Sequence, residues 1–196
     1  MKSVTWIYNI LVMAYIGNGV EYALHCLLWL AEPVEQRPSS RDLADLQGIS
    51  PAFLAKIFAK LEKAGIVEAS GGIRGGYCLA RPTSKISVLN VVDAVEGGKP
   101  LFDCQEVRGR CALFESKPPK WATKGVCEIH AVMLRAEKVL RDELSKTTLA
   151  SLSDGKRMPA GFQNQVRTWF ADRQTAREDA RIAAMRSRAG HDDKER

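Results

Sequence analysis

The stretch "SSRDLADLQGISPAFLAKIFAKLEKAGIVEASGGIRGGYCLA", residues 39–80, constrains the fold of this chain more than any other. It opens with a serine cap, carries Leu43 and Leu46 on one face and stops at Gly48, which predicts a short helix. A second helix follows almost at once. Ser50 stands at its N-cap, Pro51 at its first position and Gly65 at its end. Leu54, Ile57, Phe58 and Leu61 form its apolar face, and Lys56, Lys60 and Lys63 line the opposite one. Two short helices joined by a glycine turn describe a helix-turn-helix. The next two runs read as strands around "GGIRGG", a hairpin tip with four glycines and one arginine. A helix-turn-helix followed by such a hairpin is a winged helix. The fold class expected is therefore mainly α with a small β-hairpin wing, extended by a long dimerisation helix.

That helix lies in "KGVCEIHAVMLRAEKVLRDELSKTTLASL", where Ile129, Val132, Met133, Ala136, Val139, Leu140 and Leu144 recur at three and four. A stripe of this length commonly packs on its twin. Upstream, "GVEYALHCLLWLA" predicts a first helix over 18–32, with Val20, Ala23, Leu24, Leu27 and Ala31 inward. Glu21, His25 and Trp29 fall on another face. "SVLNVVDAVEGG" predicts one more short helix, and 97–124 is a Pro-, Gly- and Lys-rich loop.

The expected organisation is an N-terminal extension over 1–12 and a DNA-binding domain over 13–96. A loop over 97–124, the long helix over 125–152 and a basic tail over 153–196 complete it. The start, "MKSVTWIYNILVMAYIG", resembles a weak signal peptide, but Asn9 interrupts it and the run is too short to span a membrane. In the tail, Phe162, Val166, Trp169 and Phe170 fit one amphipathic helix. From Gln174 onward little is large enough to bury, which predicts a solvated or frayed helix ending in disorder.

Net charge is +6, and residues 156–196 carry +4 of it, so the basic excess lies largely outside the predicted core. Nucleic-acid binding therefore rests on the wing and helix together. Ser50, Ala52, Phe53, Lys56 and Lys60 occupy the helix that would enter a major groove, and Arg74 tips the wing. Lysines on a helix face are by themselves compatible with simple solvation.

Five cysteines are an odd count for a disulfide scaffold and fit a cytoplasmic protein. Cys26 and Cys78 read as small buried hydrophobes. Cys104, Cys111 and Cys127 cluster in the loop and at the start of the long helix. Their spacing is not that of a zinc finger, whereas irregular loops often donate thiolates to iron–sulfur centres. His130 reads as a helix-surface histidine or a further ligand. The Glu21–His25 pair reads as an exposed hydrogen-bonded couple or as two ligands converging on one metal. Cys127 and His130 could be imagined as nucleophile and base, but no oxyanion hole or orienting third residue accompanies them, so no enzyme is expected.

From about Met13 to Leu152 the chain resembles the Rrf2 family of bacterial winged-helix regulators, the family of IscR, NsrR and RsrR. The segments "GVEYALHCLLWLA", "ISPAFLAKIFAKLEKAGIV", "GIRGGYCLARP", "SVLNVVDAVEG", the cysteine loop and "TTLASL" carry the resemblance. It implies a homodimer that binds an inverted-repeat operator in double-stranded DNA under control of an iron–sulfur cluster, with no membrane partner. The cluster would sense redox state, nitric oxide or iron supply. "VEYALHC" is most similar to RsrR. That likeness implies a 2Fe–2S cluster held by Glu21 and His25 of one subunit with Cys104 and Cys127 of the other. Cys111 departs from this pattern. It resembles the middle cysteine of three-cysteine members, which leaves the ligand set and a 4Fe–4S cluster open. The alternative is a winged-helix regulator without a cluster, switched by a Cys104–Cys111 disulfide or by zinc.

Overall fold

Ser39 begins the helix-turn-helix with two reciprocal hydrogen bonds. Its hydroxyl accepts from Asp42 N (3.2 Å), and Asp42 Oδ2 accepts from Ser39 N (2.9 Å). This capping box starts α2 (Ser40–Gln47), which Gly48 closes at φ 67°, in the left-handed region that favours glycine. The computed structural model describes residues 15–32, 37–72, 75–114, 117–154 and 159–192. Before α2 runs α1 (Asn18–Leu30), and after it α3 (Pro51–Lys63). Strands β1 (Val67–Ser70) and β2 (Gly76–Leu79) pair antiparallel, with Val67 opposite Leu79 and Ser70 opposite Gly76. A second capping box, Ser87 with Asn90, starts α4 (Val88–Glu96). The long helix α5 (Glu128–Lys146), the short α6 (Leu149–Asp154) and α7 (Ala160–Asp192) follow.

The core joins one face of each of α1 to α4. Ala23, Cys26, Leu27, Leu43, Leu54, Phe58, Leu61, Ile66 and Val91 are buried, and Leu149 of α6 completes it. The predicted apolar face of α3 is thus the observed one. Expected winged-helix architecture and observed architecture agree: mainly helical, with a two-stranded hairpin and a long helix.

Four local expectations are corrected. Ser50 occupies the N-cap of α3 but makes no side-chain cap hydrogen bond, and Pro51 at N1 supplies the helix start instead through its fixed φ. The helix expected through Leu152 breaks at Thr147, which is extended at ψ 124°. Thr148 leaves the helix to bridge Ser87 and caps α6 through Ser151, whose backbone N–H its hydroxyl accepts (3.3 Å). Trp29 is not on an outer face: it is buried against Phe162 of α7, with ring centroids 6.3 Å apart. Finally, the stretch from Gln174 is not frayed: the amphipathic segment buries Val166 and Phe170 as its pattern predicts, and helix continues from it to Asp192. The expected extension over 1–12 and Arg74 lie outside the described residues.

No helix among the described residues is long and apolar enough to cross a membrane.

Candidate nucleic-acid interface and cysteine loop

Pro51, Ala52, Phe53 and Lys56 are exposed on α3, with Ser50 exposed at its cap. The interior-facing side of the same helix is fixed by Leu54, Ile57, Phe58 and Leu61, so the reading face is rigidly aimed. Phe53 packs edge-on against Tyr22 of α1 at 6.0 Å between ring centroids. Lys60 is exposed on the same helix, and its Nζ donates to Val95 O (2.6 Å) in the last turn of α4, so it also ties two helices together.

The wing is held by its base. Tyr77 N donates to Pro38 O (2.9 Å), and a Cβ on Gly76 would fall onto the Arg37 carbonyl oxygen. Only glycine permits that approach. Tyr77 also packs on Phe58 with centroids 4.7 Å apart, linking the wing to the underside of α3.

The loop after α4 is irregular, with short 3-10 turns at Val107–Arg110 and Ala112–Phe114. Arg108 organises its first half. Its Nε and Nη2 donate to Glu106 (2.6 and 2.8 Å), and Nη2 also donates to Gly125 O (2.9 Å). The Glu106 bond and carboxylate, together with the nearby Cys127 and Cys104 sulfurs, raise the Arg108 guanidinium above its ordinary pKa. Arg108 thus ties the first turn of the loop to Gly125, two residues before Cys127. The Arg108 hydrogen bonds, with that residue's charge and His130, hold the Glu106 carboxyl below its usual range. Cys127 is the N-cap residue of α5, Cys104 is half-buried and Cys111 is exposed. Neither Arg108 nor Glu106 was singled out in the sequence, although two arginines in "VRGR" beside the cysteines were a visible signal.

Glu21 and His25 are both exposed on α1 and line a groove of about 330 Å³ with Leu24, Val88 and Val92. Among the described residues no group of three or more His, Cys, Asp or Glu lies close enough together to hold a metal. The structure of one chain therefore does not bring Glu21 and His25 together with the cysteines. Cys26 is fully buried among the core side chains, and burial pushes its thiol up to about 12. Cys78 is only half-buried, and its Sγ donates to Glu68 Oε1 (3.1 Å). The expected small core residue is thus a hydrogen-bonded wing residue.

Helix α5 has no buried residue in the single chain. Ile129, Val132 and Val139 are 63%, 51% and 69% exposed. On its other side Arg141 makes a bidentate pair with Asp93 of α4 (both 2.8 Å), which also raises the Arg141 pKa.

Comparison with known proteins agrees with this architecture. Residues 16–155 match the family model Rrf2, described as an iron-dependent transcriptional regulator. Protein rrf2 of Nitratidesulfovibrio vulgaris is 33% identical over 132 residues, covering 67% of this chain and 81% of that protein. The solved structure of T. potens IscR is similar with 25% identity and a TM-score of 0.53, over 76% of this chain and 95% of that one. CymR, the global cysteine regulator of B. subtilis, shares the fold at 17% identity and a TM-score of 0.53, over 80% and 99%. The family model ends before α7. This chain belongs to the Rrf2 family of DNA-binding, winged-helix transcriptional regulators and is not an enzyme.

Proposed function

We propose that the protein is a homodimeric regulator whose operator binding is switched by an iron–sulfur cluster. Cys104 and Cys127 of one subunit would hold the cluster with Glu21 and His25 of the other, as in the RsrR type. The observation that carries this reading is the segregation of donors. Two thiols stand on the irregular loop and at the head of α5, Cys104 and Cys127, while a carboxylate and an imidazole one helical turn apart border an open groove elsewhere on the chain. Cβ atoms at that spacing are about 5–6 Å apart, so both side chains can bend toward one metal. The donor set fits: thiolates and imidazole suit iron, and Arg108 offsets the negative charge that two thiolates bring. The exposed seam of α5 supplies the surface on which a second copy would pack.

When bound, the cluster supplies a reversible one-electron change. The chain's own residues relay it. Cys127 heads α5, Arg141 fixes α5 to Asp93 of α4, and Lys60 fixes α4 to α3. Movement at the loop is therefore coupled to the helix that reads DNA. On the first helix, Glu21 and His25 pull on an element packed directly against α3.

Anaerobic reconstitution with iron and sulfide tests the reading. The expected product is coloured, with visible absorbance lost in Cys104→Ser and Cys127→Ser but kept in Cys26→Ser and Cys78→Ser. Colourless parent protein that still binds an operator, with zinc or a reversible disulfide at the loop, overturns it. Loss of all iron in Cys111→Ser alone replaces it with a three-cysteine site.

A further inference from the structure

Helix α7 lies beyond the family match yet reaches the DNA-reading unit along its length. Val166 and Phe170 anchor it in the core. One and two turns later Arg173 and Arg177 pair with Asp42 of α2, and Arg173 also pairs with Asp45. Arg181 then donates to Gly72 O at the hairpin tip. The three arginines recur every four residues, so one face of α7 runs from α2 to the wing.

We infer that α7 is part of the DNA interface, extending it past the wing by phosphate contacts from Arg181 and Arg186. The inference rests on the family's DNA-binding function. Four observations support it. Asp42 and Asp45 lie on the first helix of the helix-turn-helix, where carboxylates would repel a phosphate backbone, and α7 neutralises them. Arg181 gives one N–H to Gly72 and keeps further donors on an exposed guanidinium beside the wing tip. Arg186, about 7.5 Å further along the helix axis, is exposed as well. Arg181 and Arg186 stand between Asp179 and Asp192 of α7 with no carboxylate between them. A phosphate backbone is the partner such an edge fits.

The test uses full-length protein and a duplex selected by the parent from a random-sequence library. Arg181→Ala with Arg186→Ala should weaken binding about tenfold and reduce the slope of log affinity against log salt by about two. The paired lysine variant, Arg181→Lys with Arg186→Lys, should restore most of the slope, because the cation count is what it reads. Lys56→Ala on α3 serves as the control. If that variant loses affinity while the double alanine variant binds with parental affinity and slope, or binds more tightly, α7 is not a DNA contact although the protein remains a DNA-binding regulator. If the parent selects no duplex at all, the inference and the DNA-binding reading fail together.

Discussion

Replacing Asp42 with asparagine separates two roles that this 2% exposed carboxylate combines. It closes the capping box of α2, and it receives Arg173 and Arg177 from α7. The first role survives the change, since Asn90 performs the same task in the Ser87 box of α4. The charge is lost, and with it one acceptor: the amide oxygen keeps the Ser39 bonds of Oδ2, and the amide nitrogen takes the Oδ1 place that received Arg173. Breaking a buried ion pair by removing one partner costs about 3–5 kcal/mol. Part of that is recovered here, because Arg173 retains Asp45 and is more than a third exposed, where an ion pair is worth under about 1 kcal/mol. Arg177 is more enclosed, and its Nη2 is buried without a hydrogen-bond partner, so Asp42 is its recorded anchor. The expected cost is about 2–3 kcal/mol, a fall in melting temperature of about 5–10 °C for a chain of this size. Urea denaturation of Asp42→Asn, Arg177→Ala and the double variant measures it. The cycle should return a coupling of about 2 kcal/mol. A coupling below about 0.5 kcal/mol would refute the docking of α7 on α2 through this pair.

The same carboxylate sets an acid limit. Burial raises the Asp42 pKa, but hydrogen bonds from the Ser39 hydroxyl and backbone, with the Arg177 charge and the Arg173 bond, outweigh it and hold it below the ordinary value. Its contribution is complete above about pH 4 and is lost as pH falls through the depressed folded value. The stability gap between parent and Asp42→Asn should therefore begin to narrow near pH 4 and go on narrowing as pH falls through the depressed folded value, and a gap that does not change with falling pH contradicts the assignment. Gly76→Ala should cost about 2 kcal/mol or more and weaken DNA binding, since its Cβ meets backbone and no flexible side chain can yield. Unchanged melting would show that the wing base tolerates a shift. Lys60→Ala should lower stability by about 1 kcal/mol while leaving the salt slope of DNA binding unchanged, because its ammonium serves Val95. A slope reduced by one would return Lys60 to the DNA face.

Where local pattern decided structure, the sequence was sufficient. The capped helices, the glycine at each stop and the alternation of lysines with leucines in α3 follow from neighbours within four residues. The burial of Trp29 and the Val95 contact of Lys60 were not legible because their partners lie far along the chain. Phe162 covers the tryptophan across more than a hundred residues, and Val95 O meets the lysine across 35. The arginines of α7 looked like a solvated row for the same reason, their acids being 128–135 residues away. In the candidate site, cysteine spacing marked the loop but not Arg108, whose position depends on an irregular turn with Glu106 at φ 47°. Glu21 and His25 stood out as polar residues on an apolar helix, yet nothing in one chain shows what they meet, since the proposed partner is a second copy.

That second copy is what the most direct measurement addresses. A mixed dimer is prepared anaerobically with Glu21→Ala and His25→Ala on one chain, and Cys104→Ser and Cys127→Ser on the other. Each mutant homodimer should be colourless after reconstitution with iron and sulfide. The mixed dimer regains one complete set of four ligands and should turn coloured, with about half the visible absorbance of the parent per dimer. A mixed dimer that is folded and dimeric but stays colourless, beside a coloured parent, contradicts a cluster shared between subunits.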